Sequence, residues 1–111
     1  MVMQNDAITF DHDGFTLSAR VEGKVAGYLK LDTSNDLRPT VSFIYVEPEF
    51  RRRNIGLALC FEAAQRLGKM GLRLYAAEFE HEKVQAGWKI LQEVMPERVG
   101  SENGRMFLSY T

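Results

Sequence analysis

Apolar and polar positions alternate early in the chain. Phe15, Leu17, Ala19 and Val21 are separated by Thr16, Ser18 and Arg20, the period of two expected of a half-buried strand. Glu22-Gly23-Lys24 makes a tight connection, and Val25 to Leu31 reads as the returning strand of a hairpin. Ahead of this pair, Ala7-Ile8-Thr9-Phe10 predicts a short strand. Asp11-His12-Asp13-Gly14 predicts a turn, since Asp and Gly tolerate turn angles. Asp32 to Pro39 is polar and reads as a loop. Val41 to Val46 is almost continuously apolar and rich in β-branched and aromatic residues, as suits a central strand covered on both faces. Pro48 cannot donate to a sheet and marks its end.

From Asn54 the period changes. Ile55, Leu59, Ala63 and Leu67 recur every four residues with Ala58 beside them, which predicts an amphipathic helix to about Met70. Glu62, Gln65, Arg66 and Lys69 fit its wetter side, and Gly71 can close it in a left-handed conformation. Leu72 to Ala76 is a second short apolar strand. Strand, helix and strand in that order predict a parallel pair with a right-handed crossover. The acidic run Glu78-Phe79-Glu80-His81-Glu82 precedes a second helix, with Val84, Trp88, Leu91 and Met95 on one face and Pro96 as its stop. Ser101-Glu102-Asn103-Gly104 reads as a turn, and Met106 to Tyr110 as a terminal strand. The element order is ββ, βα, βα, β: one α/β domain over residues 1–111 with a mixed sheet and helices packed on it.

Composition narrows the function more than the fold. With 111 residues, 45% of them hydrophobic, the chain can bury a real core. A formal net charge of −1 argues against a protein built to coat nucleic acid or an anionic membrane. The single cysteine, Cys60, reads as a small buried hydrophobe inside the first helix and is consistent with a reducing, cytoplasmic setting. No stretch approaches the length of a membrane span, and no signal peptide is evident. His12 and His81 lack Cys or His partners at metal spacing.

The basic residues are concentrated where chemistry can use them. Val46-Glu47-Pro48-Glu49-Phe50-Arg51-Arg52-Arg53-Asn54-Ile55-Gly56-Leu57-Ala58-Leu59 runs from a strand end through an arginine-rich turn into a helix. Free amides and the helix dipole at such a start favour an anion, and the arginines add cationic reach. Gly56 costs about 1 kcal/mol against alanine inside a helix, so close approach of a ligand is a physical motive for it. The bland readings are a solvated basic run, a packing glycine and, for Glu78 to Glu82, a helix-starting carboxylate cluster.

This segment, set in this element order, resembles the Gcn5-related N-acetyltransferase (GNAT) superfamily. The family pattern Gln/Arg-x-x-Gly-x-Gly/Ala follows a strand that often ends Val-x-Pro-x-(Tyr/Phe)-Arg. Val46 to Arg51 matches the lead-in, Arg51 takes the first motif position and Gly56 the sixth. Asn54 stands where the family usually has glycine. Asn tolerates left-handed angles and is a good N-cap, so the departure is mild for the backbone, although its side chain could crowd a pyrophosphate. The resemblance implies a GNAT-like fold: a mostly antiparallel sheet with one parallel, splayed pair. It implies acetyl-coenzyme A as cosubstrate and a primary amine of a small molecule or protein as acceptor. Ile44, Tyr45 and Val46 would line the pantetheine arm. Arg51, Arg52, Arg53, Asn54, Ile55, Gly56 and Leu57 would take the phosphates.

The resemblance says less about catalysis. A backbone N–H near Val46 could stabilise the oxyanion. The tyrosine that many members carry after an alanine in the following helix is missing, because Ala86 is followed by Gly87, Trp88, Lys89, Ile90 and Leu91. Glu47, Glu80, His81 and Tyr110 are the candidate acids and bases, without supporting spacing. Members usually place a strand and two helices before the hairpin, so the acceptor side looks unbuilt, and a second copy or a macromolecular acceptor could complete it. The alternative to an N-acetyltransferase is a GNAT-fold module that binds or regulates without catalysis. An RNA-binding domain using the arginine triplet is a third reading, disfavoured by the near-neutral charge.

Overall fold

The computed structural model describes residues 8–77 and 82–110, without the side chains of residues 82–84 and 86. Its elements are β1 (Ile8–Asp13), β2 (Thr16–Val21), β3 (Lys24–Asp32), β4 (Thr40–Val46), a 3-10 turn (Pro48–Phe50), α1 (Ile55–Gly68), β5 (Leu74–Tyr75), α2 (Glu82–Val94), β6 (Val99–Glu102) and β7 (Arg105–Leu108). The strands form one sheet in the order β1-β2-β3-β4-β5-β7-β6, curled into a half-barrel with the two helices. All neighbours are antiparallel except β4 and β5, which run parallel.

β4 is covered on one face only, since Ser42 and Phe43 stay exposed, and two further segments differ from the expectation. Asp11 to Asp13 is not a turn but the end of β1, which pairs as far as Asp13↔Thr16 and leaves Gly14 and Phe15 to reverse the chain. Arg20 on β2 holds Asp11 across the pair, so a polar tip is tied into a strand. The second is β6, where Ser101 and Glu102 pair with Met106 and Arg105. Only Asn103 and Gly104 turn, both at positive φ, 52° and 81°, as a two-residue primed hairpin turn requires.

α1 covers the middle of the sheet because its buried side matches the apolar alternation of β2 and β3. Ile55, Leu59, Cys60, Ala63, Ala64 and Leu67 are buried, packed in one cluster with Leu17, Ala19, Val21, Ala26 and Leu29. Cys60 and Ala64, rather than Ala58, complete the stripe. The helix closes as the sequence predicts. Gly71 has φ +76°, the Leu72 amide donates to the Leu67 carbonyl at 2.9 Å and the Gly71 amide to that of Gly68 at 3.0 Å, which is a Schellman motif. No helix among the described residues is long and apolar enough to cross a membrane.

The decisive feature is how β4 ends. It pairs with β3 along its length, from Thr40↔Asp32 to Val46↔Gly27. With β5 it shares one register pair, Thr40↔Tyr75. Beyond it no register pair joins the two parallel strands among the described residues. The Glu47 amide donates to the Ala26 carbonyl at 2.8 Å, so by strand alternation the backbone groups of Ile44 and Val46 point the other way, into the gap.

A candidate cofactor cleft between two diverging strands

The chain after β4 is bent by its own backbone into a cradle. Arg52 has φ +66° and Asn54 φ +61°, two left-handed residues with Arg53 between them. Asn54 adopts the angles its residue type tolerates but makes no side-chain capping bond. Its contribution to the helix is through its carbonyl, which accepts from the Ala58 amide at 3.0 Å. The amides of Asn54, Ile55, Gly56 and Leu57 therefore have no acceptor among the described residues, and the first turn of α1 carries no acidic residue. A helix start left uncapped and uncompensated keeps its positive end available to an anion.

Arginine side chains surround this start unequally. Arg51 curls back, its Nε donating to the Val46 carbonyl at 3.0 Å, with its guanidinium 5.6 Å from the Tyr45 ring centre. Arg52 is exposed and borders the cleft. Arg53 lies over the Phe50 ring at 5.4 Å, away from the cleft lining.

The cleft is about 390 Å³ and is lined by β4, the Arg51–Asn54 turn, the start of α1 and one side of α2. Of the residues assigned to the cofactor from sequence, Ile44, Val46, Arg51, Arg52, Asn54, Ile55, Gly56 and Leu57 meet there. Tyr45 does not. It faces the opposite side of the sheet, its ring 5.8 Å from that of Tyr28. Gly56 has room to spare: a Cβ there would find Val46 at 3.9 Å and Ile44 at 4.0 Å, ordinary contacts. The packing of the protein does not demand a glycine at this position, whereas a ligand between α1 and β4 would.

α2 supplies a wall that periodicity could not reveal. Trp88 is buried, at 3% exposure, so its reading as a core residue holds, yet it also lines the cleft with Gly87, Ile90 and Leu91. The signal available in the sequence was a mid-helix glycine next to a tryptophan, and Ile90, an apolar residue that stays 48% exposed. Cys60 closes the floor.

The candidate acids and bases are scattered. Glu47 is half-buried at the end of β4 and its side chain is outside the cleft lining. Tyr110 stands against α1, its ring 5.7 Å from Phe61 and its Cβ where a side chain on Gly68 would clash, at 2.9 Å. Arg98 lies over both rings, at 5.2 Å from Tyr110 and 5.7 Å from Phe61, which makes Tyr110 part of a packing cluster. Glu80 and His81 lie outside the described residues. Among the described residues, the cleft lining holds no carboxylate, histidine or tyrosine; Arg51 and Arg52 are its only charges.

A seven-stranded mixed sheet whose one parallel pair splays beside an anion-ready helix start defines a class of α/β protein. The sequence pattern of the acetyltransferase (GNAT) family matches residues 2–88, and the chain belongs to that family. Among curated proteins none matches it significantly. Solved structures share the fold at low identity. The PaiA N-acetyltransferase of Thermoplasma acidophilum, solved with coenzyme A, superposes with TM-score 0.58 at 16% identity, over 84% of this chain and 57% of its own. The ribosomal-protein-S18-alanine N-acetyltransferase of Escherichia coli gives 0.58 at 18% identity, over 94% and 66%. The IAA acetyltransferase of Bacillus cereus gives 0.58 at 19% identity, over 83% and 73%. The chain thus spans a little over half the length of the first of these.

Proposed function

We propose that this protein is an acyltransferase that binds acetyl-coenzyme A in the cleft between β4, α1 and α2 and passes the acetyl group to an amine. The observation that carries the reading is the conjunction of parted strands and an uncapped helix start. The amides of Asn54 to Leu57, with Arg52 beside them, receive the diphosphate. The pantetheine arm runs along β4 and takes the place of the missing strand, bonding the Val46 N–H and the Ile44 carbonyl, since the Val46 carbonyl already accepts from Arg51. The Ile44 N–H, the outward amide farther from the diphosphate and nearer the fork, then faces the thioester carbonyl and holds the oxyanion that forms on attack. The solved relative bound to coenzyme A supports the same cosubstrate. Titration calorimetry with acetyl-coenzyme A tests this. The expected result is one-to-one binding in the micromolar range, roughly −7 to −8 kcal/mol; no heat up to millimolar ligand rejects it.

The cleft's lack of an acid or base among the described residues favours a second reading, a module that binds acetyl-coenzyme A without turnover. Thiol release that depends on added amine excludes that reading.

A further inference from the structure

We infer that the acceptor is a small amine bearing its own carboxylate, bound on the sheet face opposite the helices, with Arg105 taking the carboxylate and Asp32 the ammonium. This deepens the acetyl-transfer reading and rests on it.

A cavity of about 410 Å³ opens on that outer face where β4 leaves β5. Val41 lines both this cavity and the coenzyme cleft, so the two meet back to back at the fork. Past Thr40↔Tyr75 no strand pairing among the described residues separates them. A thioester carbonyl brought along β4 thus reaches the outer cavity through the opening between the strands.

The outer cavity has the polar equipment that the coenzyme cleft lacks. Arg105 sits at the fork. Its Nε donates to the Ala76 carbonyl at 3.1 Å, and its Nη2 to the same carbonyl at 2.9 Å and to the Thr40 hydroxyl at 2.9 Å. Three of its five N–H groups are thereby fixed, and the two on Nη1 have no acceptor among the described residues. No carboxylate among the described residues pairs with it. Arg38 lines the same cavity, but its guanidinium is committed to Glu102 at 2.7 Å. Among the described residues Arg105 is therefore the guanidinium left for an anion, pre-oriented by bonds to Thr40 on β4 and to Ala76 just past β5.

Asp32 supplies the opposite sign. The Ser34 amide donates to its Oδ1 at 2.9 Å. That bond and the Ser34 hydroxyl hold the Asp32 carboxyl below the usual carboxylate range, so it is ionised at neutral pH. One cation and one anion in a small cavity complement a zwitterion. A simple cationic amine would face Arg105 uncompensated, and a simple anion would face Asp32. In the reaction the amine nitrogen bonds to the acetyl carbon and the carbon–sulfur bond breaks. Of the two protons the ammonium loses, one goes to the departing thiolate and the other to solvent.

The test compares amino acids with their decarboxylated amines, for example leucine with isoamylamine and phenylalanine with phenethylamine, across a panel of common α-amino acids. Acceptor-dependent thiol release is the readout. At least one amino acid should exceed its decarboxylated partner about tenfold or more in kcat/KM, the size expected for a charged hydrogen bond. Arg105→Gln should abolish that preference through KM, Arg105→Lys should keep part of it, and Asp32→Asn should raise KM for the amino acid. The Kd for acetyl-coenzyme A should stay unchanged in all three. Equal or better turnover of the decarboxylated amines overturns the inference. So does a preference that survives Arg105→Gln, or the absence of any amino-acid turnover while acetyl-coenzyme A binds. If acetyl-coenzyme A does not bind at all, the reading of the cleft has failed and the inference with it.

Discussion

Gly56 and Gly27 stand on either side of the same junction and separate ligand demand from packing demand. At Gly56 a methyl group fits the protein without strain and would relieve the helix of a poor helix former. Gly56→Ala should therefore raise stability by up to about 1 kcal/mol. It should also weaken acetyl-coenzyme A about tenfold, or ~1.4 kcal/mol, by filling the space between α1 and β4. Thermal melts and titrations on one sample check both signs; unchanged affinity would mean that no ligand approaches this turn. At Gly27 a Cβ would lie 2.6 Å from the Tyr45 carbonyl and 3.5 Å from Ile55. Gly27→Ala should cost ~1–3 kcal/mol in urea unfolding, because β4 and the start of α1 pack directly on that position. Residue types made part of this legible. Asn54 occupies the left-handed conformation its chemistry allows. Its capping role was not legible as such: the carbonyl takes the first helical bond while the side chain makes no cap. Nothing in the Arg51-Arg52-Arg53 run distinguishes three neighbours that the fold sends to a β4 carbonyl, to the cleft and to Phe50.

At the level of elements, an uncapped helix start next to two arginines makes binding of an anionic cosubstrate an electrostatic event. Raising the salt from about 0.05 to 0.5 M shortens the screening length from roughly 14 to 4 Å and should weaken acetyl-coenzyme A several-fold. Arg52→Gln should weaken it at low salt and flatten the dependence, as measured by titration across the salt series. A slope identical to that of the unaltered protein would remove Arg52 from the site. The elements themselves were legible to different degrees for physical reasons. β2 and α1 carry clean periods of two and near four, because each buries one face or stripe, while β3 and β4 are largely apolar runs bounded by turn residues, and the positions of all four follow from these patterns. β6 carries no such period. Its Gly100 has no side chain to show, because the Phe107 ring from β7 lies over it, 2.5 Å from where a Cβ would be. The end of β1 reads as a turn because Asp11, His12 and Asp13 are exposed and polar, and only the Arg20 contact and the pairing to β2 hold them extended.

The whole molecule adds what no single element contains, two cavities that share Val41 across a fork in the sheet. The strand–turn–helix segment of the fork was readable from its motif. The α2 wall was not, since Trp88 and Leu91 serve the core and the cleft with the same side chains. The outer cavity was not either, because Asp32, Arg38 and Arg105 are far apart in sequence and are gathered by the pairing of β3, β4, β5 and β7. Coenzyme binding in the inner cleft depends above all on main-chain recognition. Amide-resolved NMR of the 15N-labelled protein titrated with coenzyme A addresses it most directly. Saturable shifts of the Asn54, Ile55, Gly56, Leu57, Ile44 and Val46 amides are expected, with little change on β1 and β6. Unmoved amides at millimolar coenzyme A, or shifts clustered on other elements, would contradict it.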